Sequence, residues 1–151
     1  MRARMLAWSL LLPFLKRGLS AERLVRLMYH RAGRSTANAD TARIIHLAAW
    51  AARIRPLPGR GNCLERSLLA YRYLGRAGAQ PRLAMGVRRV GGHVDGHAWI
   101  IVGNSVVDND LQYGLQPFAT VVEFGSDGRP IRSLVGTDVG NALAGADWDQ
   151  H

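Results

Sequence analysis

Apolar side chains recur with helical spacing through the first half of the chain. Ser20 has the side chain of a helix N-cap. Leu24, Leu27 and Met28 follow at i, i+3 and i+4, so they share one face of a helix. The pattern predicts a helix from Ser20 to about Ala32, with its apolar side against a core.

Two further helices are predicted before residue 80. Asp40 opens the first, and alanines and isoleucines keep the helical period to about Ile54. The second begins at Cys63 and ends near Ala77, where Gly78 suits the C-terminal cap. Prolines and glycines between these two helices predict a connection that is rich in turns.

Beyond Pro81 the spacing changes from helical to extended. Short apolar runs predict four strands, at residues 82–87, 97–102, 105–108 and 118–124. The segment with Gly91-Gly92, Asp95 and Gly96 is expected to form a loop before the second strand. A turn after the fourth strand leads the chain back towards Ile131. Helices first and antiparallel strands second indicate an α+β fold.

The length predicts one domain over residues 1–151, since 151 residues can bury a single core and no linker divides the chain. Within it we expect a helical N-terminal part at 1–57, a helix and sheet with the functional residues at 58–135, and a loosely packed tail at 136–151.

An apolar stretch from Met5 to Leu15 follows two arginines at the N-terminus. A membrane span takes roughly 20 residues, so this stretch is too short to cross a bilayer. Lys16 and Arg17 follow where a signal peptide would carry small residues at a cleavage site. We therefore expect an amphipathic or buried helix that is a candidate docking surface, with a peripheral membrane role as the weaker alternative. With a single cysteine in the chain, the cytoplasm is the expected compartment.

The net charge of +9 raises the question of nucleic-acid binding. The arginines are spread from Arg2 to Arg132 rather than grouped, and aromatic residues are few. Stripes of basic and aromatic side chains that stack bases are absent from this sequence. Nucleic acid is therefore not expected as a partner.

Cys63 stands at the predicted start of a helix, and its position indicates a nucleophile. Backbone N–H groups at a helix N-terminus stabilise a thiolate and can hold the oxyanion formed when a carbonyl is attacked. Asn62 is either the helix cap or an additional donor to that oxyanion. Ser67, one turn further on, is expected to be a packed polar residue.

His97 is the candidate base, at the start of the second predicted strand and so at the rim of the sheet. Trp99 lies two residues on, hence on the same face, and would shield the site from water. His93 and His97 flank Asp95, but their spacing suits a metal site on a helix rather than in a loop. We expect neither a metal nor a cofactor.

A third catalytic residue is expected from the strand after Gly103-Asn104, a two-residue hairpin turn. With this turn Val102 pairs with Ser105, and the ladder carries Asp108 and Asp110 to the face of His97. Either carboxylate could hold the imidazole in the tautomer that a base requires. We favour Asp108, with Asp110 as the alternative.

Three segments resemble the transglutaminase-like cysteine peptidases of lasso-peptide biosynthesis, which remove the leader from a ribosomally made precursor. They are Cys63–Leu68, Arg82–Arg88 and Gly96–Trp99. The resemblance implies a papain-like core, with a catalytic helix packed on an antiparallel sheet. It also implies that Cys63 is the nucleophile, His97 the base and Asp108 the orienting acid.

The resemblance further implies partners: the precursor peptide, a separate leader-recognition protein, and an ATP-dependent macrolactam synthetase that receives the freed core. Two alternatives use the same residues differently. The protein could transfer the acyl group to an amine rather than to water, or it could bind peptides as a scaffold without catalysis.

Overall fold

Residues 1–30, 41–54, 63–107 and 118–133 are described by the computed structural model of this protein. Within these ranges four helices precede five strands. The helices are α1 (Arg2–Gly18), α2 (Ala21–Met28), α3 (Thr41–Arg53) and α4 (Cys63–Arg76). The strands are β1 (Arg82–Val90), β2 (His93–Val102), β3 (Ser105–Val106), β4 (Ala119–Phe124) and β5 (Pro130–Ser133).

The five strands form one antiparallel sheet in the order β3-β2-β1-β4-β5. The α4 helix packs against the central strands β1 and β2, while α1, α2 and α3 contact α4. The predicted α+β fold, with a helix packed on an antiparallel sheet, is therefore confirmed.

The helix termini follow the local sequence. Ser20 caps α2, with its side chain accepting a hydrogen bond from the backbone N–H of Arg23. The predicted end at Ala32 is wrong, because Tyr29 already leaves the helical conformation. At the end of α4, Gly78 adopts a positive φ of 83° as predicted, and the N–H of Ala79 bonds to the Leu74 carbonyl.

The largest difference from the predicted strands is the hairpin formed by β1 and β2. Both strands extend to a two-residue turn at Gly91-Gly92, where φ is 55° and 88°. Two consecutive positive φ values suit a tight hairpin turn, which glycine allows without steric cost. Asp95 and Gly96 therefore lie in β2 and not in a loop. His97 is the fifth residue of β2 rather than its first.

The edge strand β3 begins as predicted. Gly103-Asn104 forms the turn, and Val102 pairs with Ser105. The ladder contains Ser105 and Val106, and the N–H of Val107 still bonds to the Ile100 carbonyl. The remainder of the predicted strand, at Asp108, lies outside the described residues. So does the tail from residue 136.

The N-terminal stretch is helical, as its apolar composition predicts. Met5, Ser9 and Leu12 on one face of α1 are buried in the core. Lys16 near the end of α1 forms an ion pair of 3.2 Å with Glu65, which is buried in the first turn of α4. Among the described residues no helix is long and apolar enough to cross a membrane.

Tyr71 of α4 is expected to make the protein sensitive to alkaline pH. Burial raises the pKa of its phenol from 10.0 to about 12. Between these two pH values the folded state keeps the phenol proton, whereas the unfolded state has released it. The stability from this group is complete below about pH 10 and is lost as the pH rises through about 12. Urea unfolding at stepped alkaline pH should show a loss of about 2 to 3 kcal/mol.

The Tyr71→Phe variant is the control, since it keeps the ring but removes the titrating group. It also removes a hydrogen bond of 2.6 Å from the Tyr71 hydroxyl to the Gly125 carbonyl, which should cost about 1 kcal/mol at neutral pH. The difference in stability between the two proteins should shrink above pH 10 and then change sign, because the loss in the parent protein exceeds the contribution of this hydrogen bond. A difference that stays constant up to pH 12 contradicts the assignment to Tyr71.

Candidate active site

Cys63 is the first residue of α4, as predicted, and its side chain is fully buried. Its Sγ lies 3.9 Å from the backbone oxygen of Gly96, the residue bonded to His97. The predicted nucleophile, at the start of α4, therefore contacts the backbone of β2 directly before the predicted base. The helix N-terminus supplies N–H groups that favour a negative sulfur at this point.

The start of α4 is held against β2 through a row of backbone carbonyls. In an antiparallel strand alternate carbonyls point towards the same edge. On this edge the Ile100 carbonyl accepts a hydrogen bond from the backbone N–H of Val107, the residue after β3. The next carbonyl, of Ala98, accepts a 2.9 Å hydrogen bond from Ser67 Oγ, and the one after it, of Gly96, faces Cys63 Sγ. Ser67 is therefore a packed polar residue, as expected.

The imidazole of His97 lies between two aromatic rings. Its centroid is 6.0 Å from that of Trp99, at an interplanar angle of 18°, and 5.0 Å from that of Phe118, at 28°. Only 8% of His97 is exposed. The prediction that Trp99 shares a face with His97 is confirmed, and stacking from both sides restricts rotation of the imidazole.

Gly86 of β1 makes this arrangement possible. It pairs with His97 across the β1–β2 ladder. A Cβ at this position would lie 2.8 Å from Cη2 of Trp99 and 2.7 Å from the backbone oxygen of Ala119. Both distances are too short for a side chain, so the indole can lie across the sheet beside His97 only because residue 86 is glycine.

Arg88 borders the aromatic cluster on the same face. Its guanidinium lies 4.5 Å from the centroid of the Phe118 ring and forms an ion pair of 3.1 Å with Asp95. The two charged residues face each other in the β1–β2 ladder. Asp95 therefore acts as a cross-strand partner, whereas the sequence predicted a loop residue.

Comparison with models of protein families identifies the family of this chain. The model described as the transglutaminase-like superfamily matches residues 4–123, which is most of the sequence. The chain belongs to the transglutaminase-like superfamily. Comparison with curated proteins and with solved structures gives no significant match.

Membership in the transglutaminase-like superfamily is compatible with two chemistries, cysteine peptidase and acyl transfer. Both use a thiol and a base, and the structure brings Cys63, His97 and Trp99 to one stretch of β2. Asn62, Asp108 and Asp110 lie outside the described residues. Their predicted roles as a cap or oxyanion donor and as the third catalytic residue stay predictions.

Phe118 and Arg88 of this transglutaminase-like domain were missed by the sequence analysis. Phe118 was assigned to a strand without a link to His97, because contacts between distant strands leave no local signal. The pairing of Arg88 with Asp95 has a signal, since Gly91-Gly92 between them defines a hairpin register. Among the described residues there is no group of three or more His, Cys, Asp or Glu side chains able to hold a metal ion.

The Gly86→Ala substitution tests the packing around His97. The added methyl group must displace the Trp99 ring or the β4 backbone, which should cost about 1–3 kcal/mol of unfolding free energy. Gly75→Ala is the matched control, because its added Cβ meets only one atom at an ordinary 3.5 Å inside α4. That variant should be neutral or more stable by up to about 1 kcal/mol. Urea unfolding measures both, and equal stability of Gly86→Ala and the parent protein contradicts the packing argument.

Proposed function

We propose that the protein is a cysteine peptidase in which Cys63 is the nucleophile and His97 the general acid and base. The observation that supports this most directly is the contact of Cys63 Sγ, at the start of α4, with the carbonyl of the residue before His97. Nucleophilic catalysis requires a base within reach of the thiol, and the contact of the Cys63 helix N-terminus with the strand that carries His97 supports that role.

The proposed reaction has two steps. His97 takes the proton of the Cys63 thiol, and the sulfur attacks the carbonyl carbon of a peptide bond. The C–N bond breaks, the amine leaves with the proton from His97, and a thioester remains on Cys63. Water then attacks the thioester as His97 takes its proton, which releases a free acid and returns the thiol. Asp108, or Asp110 in its place, would hold the imidazole in the required tautomer.

The proposed substrate is the leader region of a ribosomally made lasso-peptide precursor. Support comes from the resemblance in the segments Cys63–Leu68, Arg82–Arg88 and Gly96–Trp99. These segments belong to α4, β1 and β2, which pack together around the site. A separate leader-recognition protein and an ATP-dependent macrolactam synthetase are the proposed partners, and the cytoplasm is the proposed compartment.

The burial of Cys63 bears on how a substrate enters. Its side chain has no exposed surface, so a peptide carbonyl reaches Sγ only after groups around it move. The His97 ring, by contrast, is already stacked beside Trp99 in the structure. Substrate binding is therefore expected to open the thiol side of the site and to leave the aromatic side in place.

Cleavage of a candidate precursor peptide tests the proposal. Cys63→Ala should abolish cleavage, and His97→Ala should reduce its rate by about 10²–10⁴-fold. His93→Ala is the matched control, since His93 is an exposed histidine of the same strand and should leave the rate unchanged. Mass spectrometry of the products measures the rates.

The same products separate the alternatives. A product that ends in a free acid supports hydrolysis, whereas an amide to an added amine supports acyl transfer by the same two residues. Because Cys63 is buried in the resting protein, iodoacetamide labelling of Cys63 below pH 7 in the presence of the precursor adds a second readout. Labelling that is equally slow in the parent protein and in His97→Ala, together with intact precursor, contradicts the catalytic proposal and favours a peptide-binding scaffold.

A further inference from the structure

The face of α1 that points away from the core is as apolar as the face inside it. Ala7, Leu10, Leu11 and Phe14 recur at i, i+3, i+4 and i+7 and are all exposed, Phe14 to 59%. They lie on the side of α1 opposite Met5, Ser9 and Leu12, which are buried. A helix that is apolar on all sides is normally covered on all sides. We call the four exposed residues the outer stripe.

The α3 helix packs against α1 and also carries exposed apolar side chains. Trp50 and Ile54 near the end of α3 are exposed to 42% and 47%. Arg2 and Trp50 line one open cavity of about 600 Å³, so the indole lies close to the N-terminal end of α1. Exposed large apolar side chains, including a tryptophan, are thus present on both of these neighbouring helices.

The charged side chains of α1 itself are all positive. Arg2 and Arg4 are exposed at one end of α1 and Arg17 at the other, and residues 1–21 contain no aspartate or glutamate. Whatever covers the stripe must therefore accept cations at both ends. A second copy of this chain does not, because parallel α1 helices would bring Arg4 to Arg4 and antiparallel ones would bring Arg4 to Arg17.

We propose that the outer stripe docks on an anionic lipid surface. Leucine and phenylalanine on one face with arginines beside them are typical of helices that lie in a membrane interface, where tryptophan is also favoured. The exposed face of α1 is convex, since its inner face is packed on the core. A fluid bilayer can accommodate a convex helix without a preformed groove.

This docking would also orient the active site. The pair between Lys16 and Glu65 joins the end of α1 to the first turn of α4, two residues from Cys63. A surface bound along α1 would therefore hold the catalytic helix at a fixed distance from the lipid headgroups. The proposal takes up the peripheral membrane role that the sequence left as the weaker alternative, because the structure shows which face of α1 is buried.

Co-sedimentation of the full-length protein with vesicles tests the proposal. One set of vesicles contains phosphatidylcholine alone, and the other contains phosphatidylcholine and phosphatidylglycerol. Binding is expected to the anionic vesicles and to weaken with added salt. Arg4→Gln and Arg17→Gln should each weaken it about fivefold, because one basic residue at an anionic surface contributes on the order of 1 kcal/mol.

A double variant, Leu11→Ser with Phe14→Ser, should weaken binding to the anionic vesicles by at least about tenfold. Leu27→Ser is the matched control, since Leu27 is an exposed leucine of α2 outside the stripe and should leave binding unchanged. All of these residues are exposed, so the variants should fold, and circular dichroism checks this.

Three results overturn the proposal. The first is no sedimentation with anionic vesicles at low salt, which would favour an acidic protein as the partner. The second is equal binding to both vesicle types, or wild-type binding by the double variant. The third is a dimer in solution that the double variant abolishes, which would assign the stripe to a second copy. Each result leaves the cleavage assay of Cys63 and His97 unaffected, so the two proposals fail separately.

Discussion

The position of α4 along β2 is the constraint on which the rest of the structure depends. Three alternate carbonyls of β2 each have a different partner. That of Ile100 accepts a hydrogen bond from the residue after β3, that of Ala98 accepts one from Ser67 Oγ, and that of Gly96 contacts Cys63 Sγ. A shift of α4 by one residue would turn both side chains away from these acceptors. The same alignment packs the apolar face of α4 onto the sheet, so core packing and the location of the thiol are set together.

Because side chains alternate along a strand, β2 serves two purposes at once. Ala98 and Ile100 belong to the core with α4, whereas His97 and Trp99 alternate with them along β2 and stack on each other. The imidazole is then held by rings from its own strand and from the residue before β4, while β1 contributes only the space left by Gly86. Residues of β1 and β2 and the residue before β4 thus surround the imidazole, which limits how far it can rotate.

The helices, the starting residue of α4 and the shared face of His97 and Trp99 could be predicted from sequence, because caps, helical period and strand alternation are local properties. The lengths of β1 and β2 were predicted too short, because both strands continue to the turn at Gly91-Gly92. Gly91-Gly92 and Gly96 were weighed as loop formers, although two glycines with positive φ make a tight turn and Gly96 lies inside a paired strand. The contact of Phe118 with His97 joins residues from separate strands, and no local pattern encodes it.

The complete burial of Cys63 has a consequence for the chemical fate of the protein. Oxidation of a thiol to sulfenic and higher acids requires that peroxide reach the sulfur, and susceptibility follows exposure. A Cys63 side chain without exposed surface is shielded from such reagents while the protein rests. If Cys63 is the nucleophile that we propose, oxidative inactivation would scale with the time the site is open to substrate rather than with the age of the protein.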